Sequence, residues 1–348
     1  MQEIYKNARN LMKGFCKVCK ECDGKACAGE VPGMGGLGTG SSFMSNVRAL
    51  SEFKFNMSLI HDVIKPDTKV TMFGEKFDIP VLAAPIGGVS FNMGGKITEE
   101  EYINSVIHGC IKKGIMGCTG DGVPDFIHET GLKTISDVNG GGIPFIKPWE
   151  DKELYQKLEK VEKCGAKIVG IDIDAAGLIT LRKMGRPVSP RNATQLSKII
   201  KSFPMKFILK GIMTKRDAEL SVEAGADGIV VSNHGGRVFD FTPGTSEVLS
   251  QIAEHVKDKI TILVDGGVRS GGDVLKLLAL GADGVMIGRP FSIAAVGGLQ
   301  QGVEQYIDKI KQELEQSMVM TGTLSASRID KSILRRAYMF EPLITIIK

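Results

Sequence analysis

No stretch of the 348 residues approaches the roughly 20 consecutive apolar positions that a membrane-crossing helix requires. The opening segment, Met1 to Phe15, is polar and of mixed charge, and it lacks the apolar centre of a secretory signal. Together these absences lead to the expectation of a cytoplasmic protein with no membrane partner. The chain also lacks any block of Lys or Arg. Its net charge of +4 is spread along the length, which gives no basis for nucleic acid or an anionic surface as partner. Broad disorder is excluded by 43% hydrophobic and 24% charged residues, ordinary values for a folded chain. A disulfide framework is equally poorly served, because four of the seven cysteines crowd into one short N-terminal segment.

What the sequence does contain is a rhythm. Short β-branched or apolar runs alternate with longer helical stretches, as expected for parallel strands joined by crossover helices. The strand candidates are Val81 to Ala84, Ile115 to Cys118, Pro144 to Lys147, Ile168 to Ile173, Lys206 to Leu209, Gly228 to Val231, Thr261 to Val264 and Gly284 to Ile287. Helices are expected over Glu99 to Lys112, Lys152 to Lys163, Thr214 to Glu223, Ser246 to His255 and Gly271 to Ala279. Three of the inter-strand segments end in the same dipeptide, at Gly165-Ala166, Gly225-Ala226 and Gly281-Ala282, where Gly suits a left-handed helix cap. Eight such units predict an α/β fold, a single (β/α)8 TIM barrel with an N-terminal extension, and 348 residues suit one barrel. A doubly wound open sheet is the competing architecture; the barrel is preferred because the phosphate-type loops follow the seventh and eighth strands. The expected division is residues 1–78 as the extension, with the Cys cluster and a Gly-rich loop from Val31 to Ser42, and 79–348 as the barrel with its last helix and tail.

Function in such a barrel gathers at the C-terminal strand ends. Past the sixth strand candidate stands Ser232-Asn233-His234-Gly235-Gly236-Arg237, past the seventh Asp265-Gly266-Gly267-Val268-Arg269, and past the eighth Gly288-Arg289-Pro290. The last two loops make a phosphate cradle, with glycines admitting backbone N–H groups to an anion while Arg269 and Arg289 supply charge-assisted donors. The alternative is that the glycines only make tight turns. His234 lies beside Arg237, so one could remove a proton from a small molecule whose carboxylate the other clamps. Asp174, at the end of the fourth strand, could orient the imidazole and stabilise its protonated form. Lys210 follows Phe207-Ile208-Leu209, which places an ammonium at the barrel mouth.

These loops together resemble the FMN-dependent 2-hydroxy-acid oxidases and dehydrogenases, a family that includes glycolate oxidase, lactate oxidase and the flavin domain of flavocytochrome b2. Ala84-Pro85, Lys210, the Ser-Asn-His-Gly-Gly-Arg run, the Asp-Gly-Gly-Val-Arg loop and the Gly-Arg pair occur in the family's order, within a similarity from about Gly38 to Phe291. The resemblance implies FMN across the barrel mouth, with Pro85, Ile86 and Gly87 along the flavin and Thr119 near its ring. Lys210 and Ser232 would hold the ring and ribityl chain. Asp265, Gly267, Arg269, Gly288 and Arg289 would take the ribityl hydroxyls and the phosphate. His234 would be the general base, Arg237 the carboxylate anchor and Asp174 the partner of His234, in oxidation of a 2-hydroxy acid to the 2-keto acid by hydride transfer to flavin N5. It also implies a homo-oligomer. Two other functions share these features in part: a flavin-dependent isopentenyl diphosphate isomerase, and a flavin or cluster redox sensor.

Three departures from the family pattern stand out. The family's Tyr after the third strand is replaced by Lys147-Pro148-Trp149, and no Tyr stands near Met34. An Arg usually found just beyond the fourth-strand Asp has no clean counterpart, Arg182 and Arg186 being the candidates. Only 36 positions separate Asp174 from Lys210, so the mobile lid after the fourth strand is largely missing and water exclusion needs another element. Finally, Cys16, Cys19, Cys22 and Cys27 form a C-x2-C-x2-C-x4-C array. Four thiolates this close could hold a [4Fe-4S] cluster or one zinc, or stay free. A cluster near the flavin would let the enzyme pass single electrons to an acceptor protein.

Overall fold

The computed structural model describes residues 1–337, so the final part of the expected tail, 338–348, lies outside the described residues. Eight parallel strands close into a barrel: β1 Val81–Ile86, β2 Met116–Thr119, β3 Gly142–Ile146, β4 Ile168–Asp172, β5 Lys206–Ile212, β6 Gly228–Val231, β7 Thr261–Val264 and β8 Gly284–Ile287. Closure comes from β8 on β1, where Val285, Met286 and Ile287 register with Val81, Leu82 and Ala83. Most strand residues are buried, since helices cover the outer face and side chains fill the interior. The open-sheet alternative is therefore overturned.

The expected strands and helices fall close to the observed ones. Gly165, Gly225 and Gly281 all take left-handed backbone conformations, with φ of +80°, +87° and +113°, before the chain enters a strand. Some elements were not anticipated. Helix Gln2–Leu11 packs along the last helix, Arg289–Met320, which is kinked at Leu299. The Gly-rich stretch is irregular only as far as Gly40, because Ser41–Glu52 is a helix. Two small antiparallel pairs lie outside the barrel, Val70–Met72 with Glu75–Phe77, and Phe53–Phe55 with Leu334–Arg336. Among the described residues no helix is long and apolar enough to cross a membrane.

Helix Ser41–Glu52 braces the functional end. Its Asn46 exchanges hydrogen bonds with Asn233 past β6, at 2.8 and 3.2 Å, and accepts from the Thr245 N–H at 3.0 Å. The approach is so close that a Cβ on Gly267 would sit 2.6 Å from the Asn46 carbonyl oxygen, and one on Gly236 2.5 Å from the Phe43 nitrogen. These two glycines are thus needed for helix packing as well as for the turns.

Candidate active site

A lysine shared by three carboxylates forms the base of the site. In the parallel ladder Lys210 of β5 stands opposite Asp172, the last residue of β4, and this register brings Nζ to 3.2 Å from Asp172 Oδ1. Asp265, just past β7, lies 3.9 Å away. Lys210 is only 4% exposed. Burial alone would lower its pKa, but Asp172, Asp174 and Asp265 outweigh that and raise it well above the ordinary lysine range. The pairing of β5 with β6 slips between Lys210 and Ile212, leaving Gly211 as a bulge at φ +111°. A Cβ there would lie 2.6 Å from the Asp174 Cβ, so the bulge must be glycine for the turn after β4 to pack against β5.

His234 occupies the loop after β6 with φ +57°, a left-handed conformation that costs a non-glycine residue of order 1 kcal/mol and is a feature of functional sites. Its main-chain N–H donates to Ser232 Oγ at 3.0 Å, and that hydroxyl donates to Asp265 Oδ2 at 2.9 Å. The ring Nδ1 lies 2.9 Å from Asp174 Oδ1 and 3.3 Å from Lys210 Nζ. It cannot donate to the carboxylate and accept from the ammonium at once. Burial pushes the Asp174 carboxyl up, yet the imidazole and Lys210 more than offset this and leave it below the ordinary value. Asp174 is therefore ionised and accepts only, which assigns the proton to Nδ1 and leaves Nε2 as the basic nitrogen. Asp172, Asp174 and His234 are the only group among the described residues with three potential ligand atoms close enough for one ion. Lys210 already supplies the cation that Asp172 and Asp174 share.

Three guanidinium groups face the same cavity from the loops after β6, β7 and β8, and none pairs with a carboxylate among the described residues. Arg237 donates to the carbonyls of Gly33 and Gly35 and, at 2.9 Å, to Asn92 Oδ1. Arg289 donates to the carbonyls of Met34 at 2.7 Å and Gly235 at 3.0 Å, with its guanidinium 3.9 Å from the Phe43 ring centre. Arg269 donates to the Val268 carbonyl and to the carbonyl and Sγ of Cys22. Burial, then Arg237 and Arg269, push the Arg289 pKa down to about 9. A bound anion would relieve that crowding.

The cavity has a volume of about 340 Å³, within the range of small-molecule sites. Pro85, Ile86, Gly87, Lys210, His234 and Arg237 line it, as do Asp265, Gly267, Arg269, Gly288 and Arg289. Ser232 and Asp174 stand behind this wall and act through Asp265 and His234. Thr119 does not meet its expectation. It is fully buried, and a Cβ on Gly131 would sit 2.8 Å from its Oγ1, so the side chain turns outward to helix Phe126–Asp137. Gly120 and Asp121 line the cavity in its place. Neither arginine candidate reaches the site: Arg182 is exposed, and Arg186 pairs with Glu153 at 2.6 Å and lies over Trp149. Instead Lys147, at the end of β3, reaches the cavity. Val31 to Met34, from the Gly-rich segment, also line the cavity, as do Leu181 and Met184.

Asp172, Asn92 and Lys147 were not anticipated as site residues. The doubled acids of Ile171-Asp172-Ile173-Asp174 carried a signal for the first, whereas Asn92 lies in a short helix with no motif.

The donor set suits FMN. Asp265 Oδ1 and Arg269 Nε are buried without partners, one able to accept from a ribityl hydroxyl and the other to donate to an anion. The four N-terminal thiols, in contrast, give no support to a zinc site, since no three of their Sγ atoms come within 4.8 Å of one another. Cys22 accepts from Arg269, Cys16 lies 3.4 Å from the Val18 N–H, and Cys19 is exposed. Burial pushes the Cys16 thiol up to about 11. The cluster reading likewise finds no support in this arrangement.

The chain matches the FMN-dependent dehydrogenase family over residues 33–185 and 182–336. It is 30% identical over 315 residues to 2-hydroxyacid oxidase 2 of Bos taurus, covering 83% of this chain and 88% of that one. A 131-residue stretch is 50% identical to an L-lactate dehydrogenase of a Caulobacter species, covering 37% of this chain and 34% of the relative. Mandelate oxidase with benzoyl-formic acid superposes with a TM-score of 0.79 at 25% identity, over 96% of this chain and 97% of that one. These relatives are oxidases and dehydrogenases, and the isomerase alternative is not favoured. The chain belongs to the family of FMN-dependent 2-hydroxy-acid oxidases and dehydrogenases.

Proposed function

We propose that this enzyme oxidises a small 2-hydroxy acid to the 2-keto acid, with His234 as general base and Arg237 as carboxylate anchor. The observation that carries the assignment is the 2.9 Å contact from His234 Nδ1 to Asp174 in a cavity also lined by Arg237 and the two cradle arginines. Bound FMN supplies the two-electron acceptor. Arg269 and Arg289, with the main chain at Gly267 and Gly288, would hold its phosphate, and Asp265 would accept from its ribityl chain. Lys210, kept charged by three carboxylates, provides the positive charge that favours a reduced, anionic flavin.

Arg237 binds the substrate carboxylate through parallel hydrogen bonds and fixes the 2-hydroxyl toward His234. The hydroxyl proton goes to Nε2. Asp174 then stabilises the imidazolium through the Nδ1 hydrogen bond, the role its low pKa suits. Val31 to Met34 line the same cavity as His234 and Arg237.

Anaerobic mixing of the flavin-loaded enzyme with a panel of 2-hydroxy acids tests this reading. At least one acid is expected to bleach the oxidised flavin band, and His234→Gln is expected to slow bleaching by about 10²- to 10⁴-fold while retaining flavin. Bleaching at the native rate by the variant would remove His234 from the role.

A further inference from the structure

Arg237 accounts for one carboxylate, but the cavity presents another cation outside the phosphate cradle. Lys147 follows β3 directly, is half-buried and lines the cavity. Its Nζ meets the main-chain oxygen of Asp121, and among the described residues no carboxylate oxygen lies within 4 Å of it. The Asp121 carboxylate feels the Lys147 charge but makes no ion pair with it. That group is fully engaged by Lys157 Nζ at 2.9 Å, Trp149 Nε1 at 2.6 Å, and the N–H groups of Lys147 at 3.0 Å and Gly122 at 2.8 Å. Lys147 lines the same cavity as His234 and acts electrostatically on Asp174, the partner of that base. A lysine on a cavity wall with no carboxylate oxygen in direct contact has donors free for an anion from outside.

A 2-hydroxy monocarboxylate satisfies Arg237 and leaves Lys147 facing an alkyl or aromatic group. A second acid group would meet it. Leu178, Leu181 and Met184, on the wall after β4, would cover the short carbon chain between the two acids. We propose that the substrate is a 2-hydroxy dicarboxylic acid, whose distal carboxylate is bound by Lys147. Lys147 is then a specificity-determining residue, and the assignment rests on the function proposed above.

The experiment compares acids of equal carbon number with the FMN holoenzyme. Binding of unreactive 2-oxopentanedioate and 2-oxopentanoate is followed by perturbation of the flavin absorbance, and anaerobic reduction is followed with the corresponding 2-hydroxy acids. The diacid is expected to bind about tenfold more tightly or better, the effect of one added charge-assisted contact. Lys147→Met is expected to abolish that preference, with the loss falling about tenfold more heavily on the diacid, and Lys147→Arg to keep most of it. Should Lys147→Met not retain FMN, the native ratio and the Lys147→Arg variant decide. A native enzyme that favours the monoacid, or a Lys147→Met variant that weakens both acids equally, overturns the proposal. Bleaching by monoacids alone leaves the 2-hydroxy-acid reading standing and removes only the role of Lys147. If no 2-hydroxy acid bleaches the flavin, both fall.

Discussion

Replacing Lys210 by Met keeps the length of the side chain and deletes the charge on which three acids depend. The side chains of Asp172, Asp174 and Asp265 are 5%, 11% and 11% exposed, so little water reaches the carboxylates left behind. Removing one partner of a buried ion pair costs ~3–5 kcal/mol, and three acids around one cation place this case at the upper end. The pH dependence separates this cause from lost packing. In the native protein the folded pKa of Lys210 lies above its unfolded value, so its contribution is complete below the unfolded lysine value of about 10.5 and is lost only as pH rises through the folded pKa. It is constant across the neutral range. Asp265 behaves in the opposite sense. Burial raises its pKa, and Lys210 is the first influence opposing that rise. Without Lys210 it rises further. An acid raised on folding stabilises the fold below its unfolded value, and that stability is lost as pH increases toward the folded pKa. The deficit of Lys210→Met should therefore be smaller near about pH 5 than near about pH 8, growing by at most ~1.4 kcal/mol per pH unit for each proton involved. Urea unfolding of flavin-stripped native and variant proteins at the two pH values measures this. A deficit below ~1 kcal/mol at the higher pH, or one of equal size at both, would refute the shared-cation account.

Two further outcomes follow from the geometry. Arg289→Met should weaken FMN binding by about ten- to a hundredfold, the worth of a charged hydrogen-bonded contact, and recovery of free-flavin fluorescence on dilution reads it; an unchanged Kd would take Arg289 out of the cradle. Gly211→Ala forces a side chain into the left-handed region and against Asp174, and should cost about 2 kcal/mol or more by thermal melting together with most of the activity. A variant as stable and active as the native enzyme would contradict the bulge.

The barrel was legible in the sequence because each strand is a short apolar run bounded by a change of character, three of them entered through Gly-Ala. The loops after β6, β7 and β8 were legible for the same reason. Asp172 was harder to see, since it lies within a strand while attention fell on residues beyond strand ends, and only the β4–β5 register pairs it with Lys210. Thr119 shows the reverse error: position at a strand end does not say which way a side chain points, and here it faces the helix outside the barrel. The partners of Arg237 and Arg289 had no signature at all. They are mostly peptide oxygens of residues 33–35, between 202 and 255 positions away in sequence, and a main-chain acceptor leaves no mark in residue type. The thiol array was the opposite case, a strong pattern in sequence whose thiols stand apart in the fold, with Cys22 turned toward Arg269.

That peptide oxygens rather than acids hold Arg237 and Arg289 affects how ligands arrive. An internal carboxylate would compete with an incoming anion on equal terms and would have to be evicted with its full charge. A peptide dipole keeps the guanidinium in place but cancels none of its charge, so a visiting anion outbids it by exchanging hydrogen bonds. The glycine-rich segment around residues 33–35 thus fixes both guanidinium groups in place while leaving their charge whole.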